Sequence, residues 1–200
     1  MTSTPPVGRR AVLIVLLIAL SAFVPFALAY LYANHPEWIQ KTSNVGTLIV
    51  PIQSVALETL DQQPLGKVVD PAEFRGRWLL LEVAESQCEA ICLESLHKTH
   101  QAWLMLNKEL PRVRRLLLVG KDGKRVLENP VVKADDALLM AALAPDVLAR
   151  VHAALRALPL DGSIVLVDPL GNLVLKYGPD FDPYGLVKDL KHLLKASQIG

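Results

Sequence analysis

Hydrophobic and polar positions divide the chain into two unequal parts. From Ala11 to Ala33 it reads AVLIVLLIALSAFVPFALAYLYA, without a charge. Coiled at ~1.5 Å per residue, this run covers about 34 Å, enough to cross the hydrocarbon core of a bilayer with some tilt. Arg9 and Arg10 precede it and the first acid, Glu37, follows it. The positive-inside rule therefore places residues 1–10 in the cytoplasm and everything after residue 33 across the membrane. Tyr30, Tyr32 and Trp38 fall where the far interface is expected. Pro25 is tolerated because membrane helices re-satisfy the backbone group it frees. Ala27-Leu28-Ala29 is an A-x-A-like cleavage site. The apolar run continues past it and is longer than the usual signal core, so an uncleaved anchor is expected. Cleavage after Ala29 stays open, and both readings export the rest of the chain.

Residues 34–45 are polar and form a tether. From residue 46 short apolar runs alternate with helical stripes. Gly46–Ser54 is a short apolar run. Val55–Val69 alternates around Asp61-Gln62-Gln63 and predicts a hairpin. Asp70-Pro71 predicts a capped helical turn. Trp78–Ala84 (WLLLEVA) and Val113–Val119 (VRRLLLV) are compact strands. Between them residues 88–108 make a helix, with Leu96, Trp103 and Leu106 inward. Gly120–Gly123 is a turn, and Asp135-Asp136 starts a helical segment. Pro145–Ala157 carries Val147, Leu148, Val151 and Leu155 on one stripe. Ser163–Val167 and Leu173–Tyr177 flank the turn at Asp168–Asn172. The last helix opens with Asp182 as N-cap and Pro183 at its first position. A strand–helix–strand unit, then a hairpin and a closing helix, is the order of an α/β, thioredoxin-like domain over residues 46–200.

Composition changes little and excludes much. With 52% hydrophobic residues the chain is not disordered. Lys+Arg 21 against Asp+Glu 20, with no basic stripe, argues against a nucleic-acid partner. Leaving out Arg9 and Arg10, 19 basic residues face 20 acidic ones, so the exported part is near neutral and not expected to bind anionic lipid. Two cysteines are too few for a disulfide-stapled scaffold.

Those cysteines, Cys88 and Cys92, follow the strongest strand and open the strongest helix. A thiol at a helix N-terminus meets the positive dipole end and unpaired N–H groups, which favour its thiolate. Glu85, Glu89 and Glu94 oppose this. Residues four apart lie on one helix face, near the upper end of the disulfide window. Two adjacent soft thiolates also suit Cu(I). The pair is therefore expected to be presented to solvent as a thiol-disulfide or copper site, with Cys88 attacking and Cys92 resolving the mixed disulfide. Two plainer readings stay open. The cysteines are buried apolar side chains, or they form a static disulfide whose five-residue ring stabilises little.

The stretch Asp70–Leu93, DPAEFRGRWLLLEVAESQCEAICL, resembles the cysteine core of the Sco (SenC-type) family. Ser163–Gly178, SIVLVDPLGNLVLKYG, is similar to that family's hairpin. Asn44–Pro51, NVGTLIVP, resembles a juxtamembrane pattern of a divergent branch. The resemblance implies a membrane-anchored, thioredoxin-like protein of cytochrome c oxidase assembly. It would sit in the bacterial inner membrane as a single-pass protein with its C-terminal domain in the periplasm. Its partner would be oxidase subunit II, at the CuA site, or a copper chaperone. Its metal site would be Cys88 and Cys92 holding Cu(I). The family adds a histidine as third ligand; here the matching position falls near Leu160, within Pro159-Leu160-Asp161-Gly162. His97 and His100 lie on the cysteine helix, 5 and 8 residues beyond Cys92. His152 and His192 lie in later helices and His35 in the tether; of the five, only His152 is retained as a substitute ligand. The alternative function is a non-catalytic scaffold of respiratory-complex assembly. Gly120–Lys124 lacks the pattern of a phosphate loop, and Asp180 with Asp182 is not a glycosidase pair.

Overall fold

The computed structural model describes residues 8–35, 44–57, 65, 73–85 and 88–197. The chain forms two compact units, Met1–Ser43 and Asn44–Gly200. In the first, helix α1 (Arg9–Asn34) buries no side chain and is long and apolar enough to cross a membrane. Among the described residues of the unit, nothing packs against its apolar surface, which suits a helix that crosses a bilayer.

In the second unit six strands form one sheet: β1 (Thr47–Ser54), β2 (Trp78–Ala84), β3 (Val113–Val119), β4 (Leu138–Ala142), β5 (Ile164–Val167) and β6 (Asn172–Tyr177). Their spatial order is β1-β6-β5-β2-β3-β4. β2, β3 and β4 run parallel, while β5 is antiparallel to β2 and to β6, and β6 to β1. Every residue of β2 is buried, the mark of a central strand covered on both faces. Leu79, Leu81 and Val83 point to one face, where helix α4 (Pro145–Leu155) packs through Val147, Val151 and Leu155. Leu80, Glu82 and Ala84 alternate to the other face. Helices α2 (Ala90–Leu104) and α5 (Pro183–Ala196) cover that face.

The caps behave as composition dictates. Asp182 accepts hydrogen bonds from the Tyr184 and Gly185 amides, and Pro183 opens α5. α5 also clasps the entry to the sheet. The buried Asp189 carboxylate accepts from the Val45 amide (2.9 Å), the Gly46 amide (2.8 Å) and the Tyr177 hydroxyl (2.9 Å). Gly46 is required there, since a Cβ would lie 2.5 Å from the Tyr177 ring.

The structure corrects four expectations. The cysteine helix starts at Ala90 and ends at Leu104, and residues 107–112 form a separate 3₁₀ turn containing Pro111. Pro111 lacks an amide to continue an α-helix. The Gly120–Gly123 turn runs on into a 3₁₀ helix at Asp122–Glu128. Asp135 and Asp136 do not start a helix. They follow the short helix α3 (Pro130–Lys133) and lead into β4, an edge strand unforeseen from sequence. Its LLMAA composition has no β-branched residue to reveal it. The hairpin turn at Asp61–Gln63 and the Asp70 cap lie outside the described residues.

Candidate functional site

Cys88 and Cys92 are joined by a disulfide, with Cα atoms 5.0 Å apart. That spacing lies inside the ordinary disulfide window. Cys88 stands one residue before the N-cap, Glu89, with φ 46°; Cys92 is the third residue of α2. The helix therefore begins after Cys88, because its left-handed backbone cannot continue into an α-helix. For a non-glycine residue that conformation costs about 1 kcal/mol. Glu89 makes no side-chain cap, so the first-turn amides of α2 are left to whatever occupies the space before them.

The expectation of solvent-presented sulfurs is overturned. Cys88 is 4% and Cys92 3% exposed, packed with Ala84, Leu96, Leu117 and Val119. A disulfide is an apolar group, and the strand ends beneath α2 offer it apolar neighbours. Access is left through a cleft of about 430 Å³ lined by Glu89, Ile91, Cys92, Pro159, Asp161 and Pro179. Cys92 lines it and Cys88 does not.

The far wall of the cleft is the loop before β5. Gly162, at φ 82°, brings it against α2, where a Cβ would fall 2.9 Å from the Ile91 side chain. Asp161 accepts a hydrogen bond from the Glu85 amide at 2.9 Å and makes a bridge to Val83. This loop holds Leu160, where the resemblance placed a ligand histidine. It carries a carboxylate and no imidazole.

Beneath the first turns of α2 lies a polar network. Buried Glu82, on β2, accepts from the Thr99 hydroxyl (2.6 Å) and the Ser95 hydroxyl (3.2 Å). Arg115, on β3, is fully buried. It donates to Asp135 (2.5 Å), to the Leu96 carbonyl (2.9 Å) and to Thr99 (3.3 Å). His100 Nδ1 lies 2.9 Å from the Asp135 carboxylate and 3.0 Å from Arg115 Nη1. Burial pushes the Glu82 carboxyl above its ordinary range although the Arg115 charge and the two hydroxyls pull it down. Burial also raises Asp135, but its hydrogen bond to Arg115 and that residue's charge outweigh it and leave the group below the carboxylate range. Sequence reasoning missed this network. The available signal was a lone acid in WLLLEVA and basic residues in VRRLLLV, charges inside otherwise apolar strands.

The histidines do not complete a metal site. His97 pairs with Gln101 along α2, and His100 with Asp135 ahead of β4. His152 is exposed on α4, across the sheet from the cysteines. Among the described residues no group of three His, Cys, Asp or Glu is placed to hold a metal. As a donor set for Cu(I), the two sulfurs fit once reduced. The oxygen of Asp161 is a harder donor that suits it less.

A thioredoxin-like sheet with a disulfide at the start of the helix that follows β2 defines the class: a thioredoxin-like domain that follows, along the chain, a helix of membrane-spanning length. Residues 78–197 match the family described as transmembrane-like, thioredoxin-like, C-terminal domain, and the chain belongs to that family. No curated protein matches. Among solved structures, yeast Sco1 with copper bound is similar at 18% identity and TM-score 0.51, over 78% of this chain and 96% of that one. Bradyrhizobium japonicum ScoI with copper bound gives 20% identity and TM-score 0.46, over 74% and 98% of the two chains. The thioredoxin domain of a Bacteroides vulgatus thiol-disulfide oxidoreductase gives 17% and 0.44, over 74% and 96%. At these identities the yeast structure establishes a shared fold, as the sequence resemblance implied.

Proposed function

We propose that this chain is a membrane-anchored thiol-disulfide and Cu(I)-handling factor supporting assembly of the CuA site of cytochrome c oxidase. Its globular unit would stand on the periplasmic side of a bacterial inner membrane. The observation that carries the reading is the Cys88–Cys92 disulfide at the start of α2 and at the wall of a cleft. In the reduced protein, the Cys92 thiolate attacks one sulfur of a partner disulfide. A mixed disulfide forms and the partner's other sulfur leaves as a thiolate. The Cys88 thiolate then attacks the Cys92 sulfur, which re-forms the internal disulfide and releases the partner as a dithiol. Two electrons pass from this chain to the partner, and a membrane dithiol donor restores them. This order follows the cleft, which reaches Cys92, and reverses the order expected from sequence. Copper is cargo here, held by the two thiolates before transfer to oxidase subunit II or received from its copper donor.

The burial of both sulfurs favours a second reading, a scaffold that keeps fold and anchor while its cysteines serve only packing. A full-length Cys88→Ser/Cys92→Ser variant separates the two. The redox reading expects oxidase assembly to fall, and assembly equal to wild type leaves the scaffold. Stoichiometric, chelator-resistant Cu(I) on the reduced full-length protein supports the copper role. Substoichiometric, easily stripped copper leaves only the reductase.

A further inference from the structure

Strand β1 forms one edge of the sheet and carries an apolar row. Leu48, Val50 and Ile52 are 50%, 61% and 76% exposed, while Ile49 enters the core; the pairing with β6 is interrupted between Leu48 and Gln53. Scattered exposed aliphatics are ordinary, but three within five residues of an edge strand mark a surface that meets something.

Cations gather at the same edge. Arg156, from the end of α4, donates to the Val50 carbonyl, and Arg150 donates to the Ser54 carbonyl at 2.9 Å. Lys176, opposite Thr47 in the ladder, donates to the Ala154 and Leu155 carbonyls at 2.9 and 3.0 Å. All these acceptors are neutral carbonyls, two of them at the C-terminal end of α4. None of the three cations pairs with a carboxylate among the described residues. Partial burial, and then the charge of Arg156, hold Lys176 below the ordinary lysine range. The near-neutral total that argued against anionic lipid conceals this concentration.

We propose that the β1 edge rests on the headgroups of an anionic bilayer. Leu48, Val50 and Ile52 enter the headgroup layer, and the exposed Arg150 and Arg156 face lipid phosphates. Aliphatic side chains rimmed by arginine and lysine are the composition that interfacial surfaces use. Chain length makes lipid the occupant of choice. Residues 35–46, twelve in all, join the end of α1 to the start of β1. Even fully extended they span only about 40 Å. With α1 in a bilayer, the edge could stray no farther than that from it, and weak contacts would suffice. The inference rests on the membrane anchoring of the proposed function and not on the cysteines.

The test is amide hydrogen exchange on the full-length chain in phosphatidylglycerol-rich nanodiscs, in phosphatidylcholine nanodiscs and in detergent. β1 amides should exchange roughly tenfold more slowly in the anionic discs than in the other two. Leu48→Ser/Ile52→Ser and Arg150→Glu/Arg156→Glu should each remove most of that difference. High salt should weaken it. All four substituted side chains are exposed, and unchanged β2 exchange confirms that the variants fold. Equal β1 exchange in all three media overturns the proposal. So does protection that rises with protein copies per disc, which would assign the edge to a second copy of this chain.

Discussion

Arg115 heads the wholly buried side chains, and its charge is met by Asp135 on one side and Glu82 on the other. Removing one member of such a set strands the rest. Arg115→Met should lower the unfolding free energy by about 3–5 kcal/mol, read by urea titration. Glu82 behaves differently. Its folded pKa is raised above the ordinary 4.5, so the folded state binds the proton more tightly than the unfolded chain. Its penalty is absent below the unfolded pKa, grows as pH rises from there, and is complete above the folded pKa. Glu82→Gln should thus gain on wild type from acid toward neutral pH, and a constant gap between the two urea midpoints would contradict this. Asp135 has the opposite sign. Its stabilisation is full above the ordinary 3.8 and is lost as pH falls through its lowered value. The cysteine pair was legible from its spacing. Its burial was not, because four-residue spacing carries no depth, and depth is set by Leu117 and Val119 from a strand distant in sequence.

Among elements, those that sequence revealed were the ones whose local signals agreed. β2 and β3 were foreseen with their observed limits because short, mainly apolar runs bounded by turns leave little choice. α5 was foreseen because its cap, proline and leucine spacing coincide. β4 escaped because LLMAA reads equally well as helix, and only pairing along β3 decides it. The loop against α2 was equally hidden, since its role comes from contact and not from pattern. Asp182→Ala should cost about 1 kcal/mol through the lost cap. Gly162→Ala should cost about 1–2 kcal/mol, from the left-handed backbone and the crowding at Ile91. It should also push the loop away from α2. Faster partner exchange at Cys92 in that variant, against unchanged rates in Asp182→Ala, would show that the loop gates the cleft.

For the molecule as a whole, the disulfide is a small part of stability. Its five-residue ring constrains the unfolded chain by about 2 kcal/mol. Reduction should lower the thermal midpoint modestly and leave one cooperative transition, as monitored by circular dichroism, whereas collapse on reduction would make the bond structural. The apolar helix and thioredoxin-like order were readable because each is a long-range repetition of a simple pattern. The cationic edge at β1 was not, because Arg150, Arg156 and Lys176 meet only after folding. The Asp189 clasp has a further consequence. By gripping the amides of Val45 and Gly46 it fixes the point at which the leash leaves the folded unit. Residues inserted or deleted ahead of that grip would lengthen or shorten the leash without loosening the fold. The distance the globular unit can stray from α1 is thus set by counting residues alone.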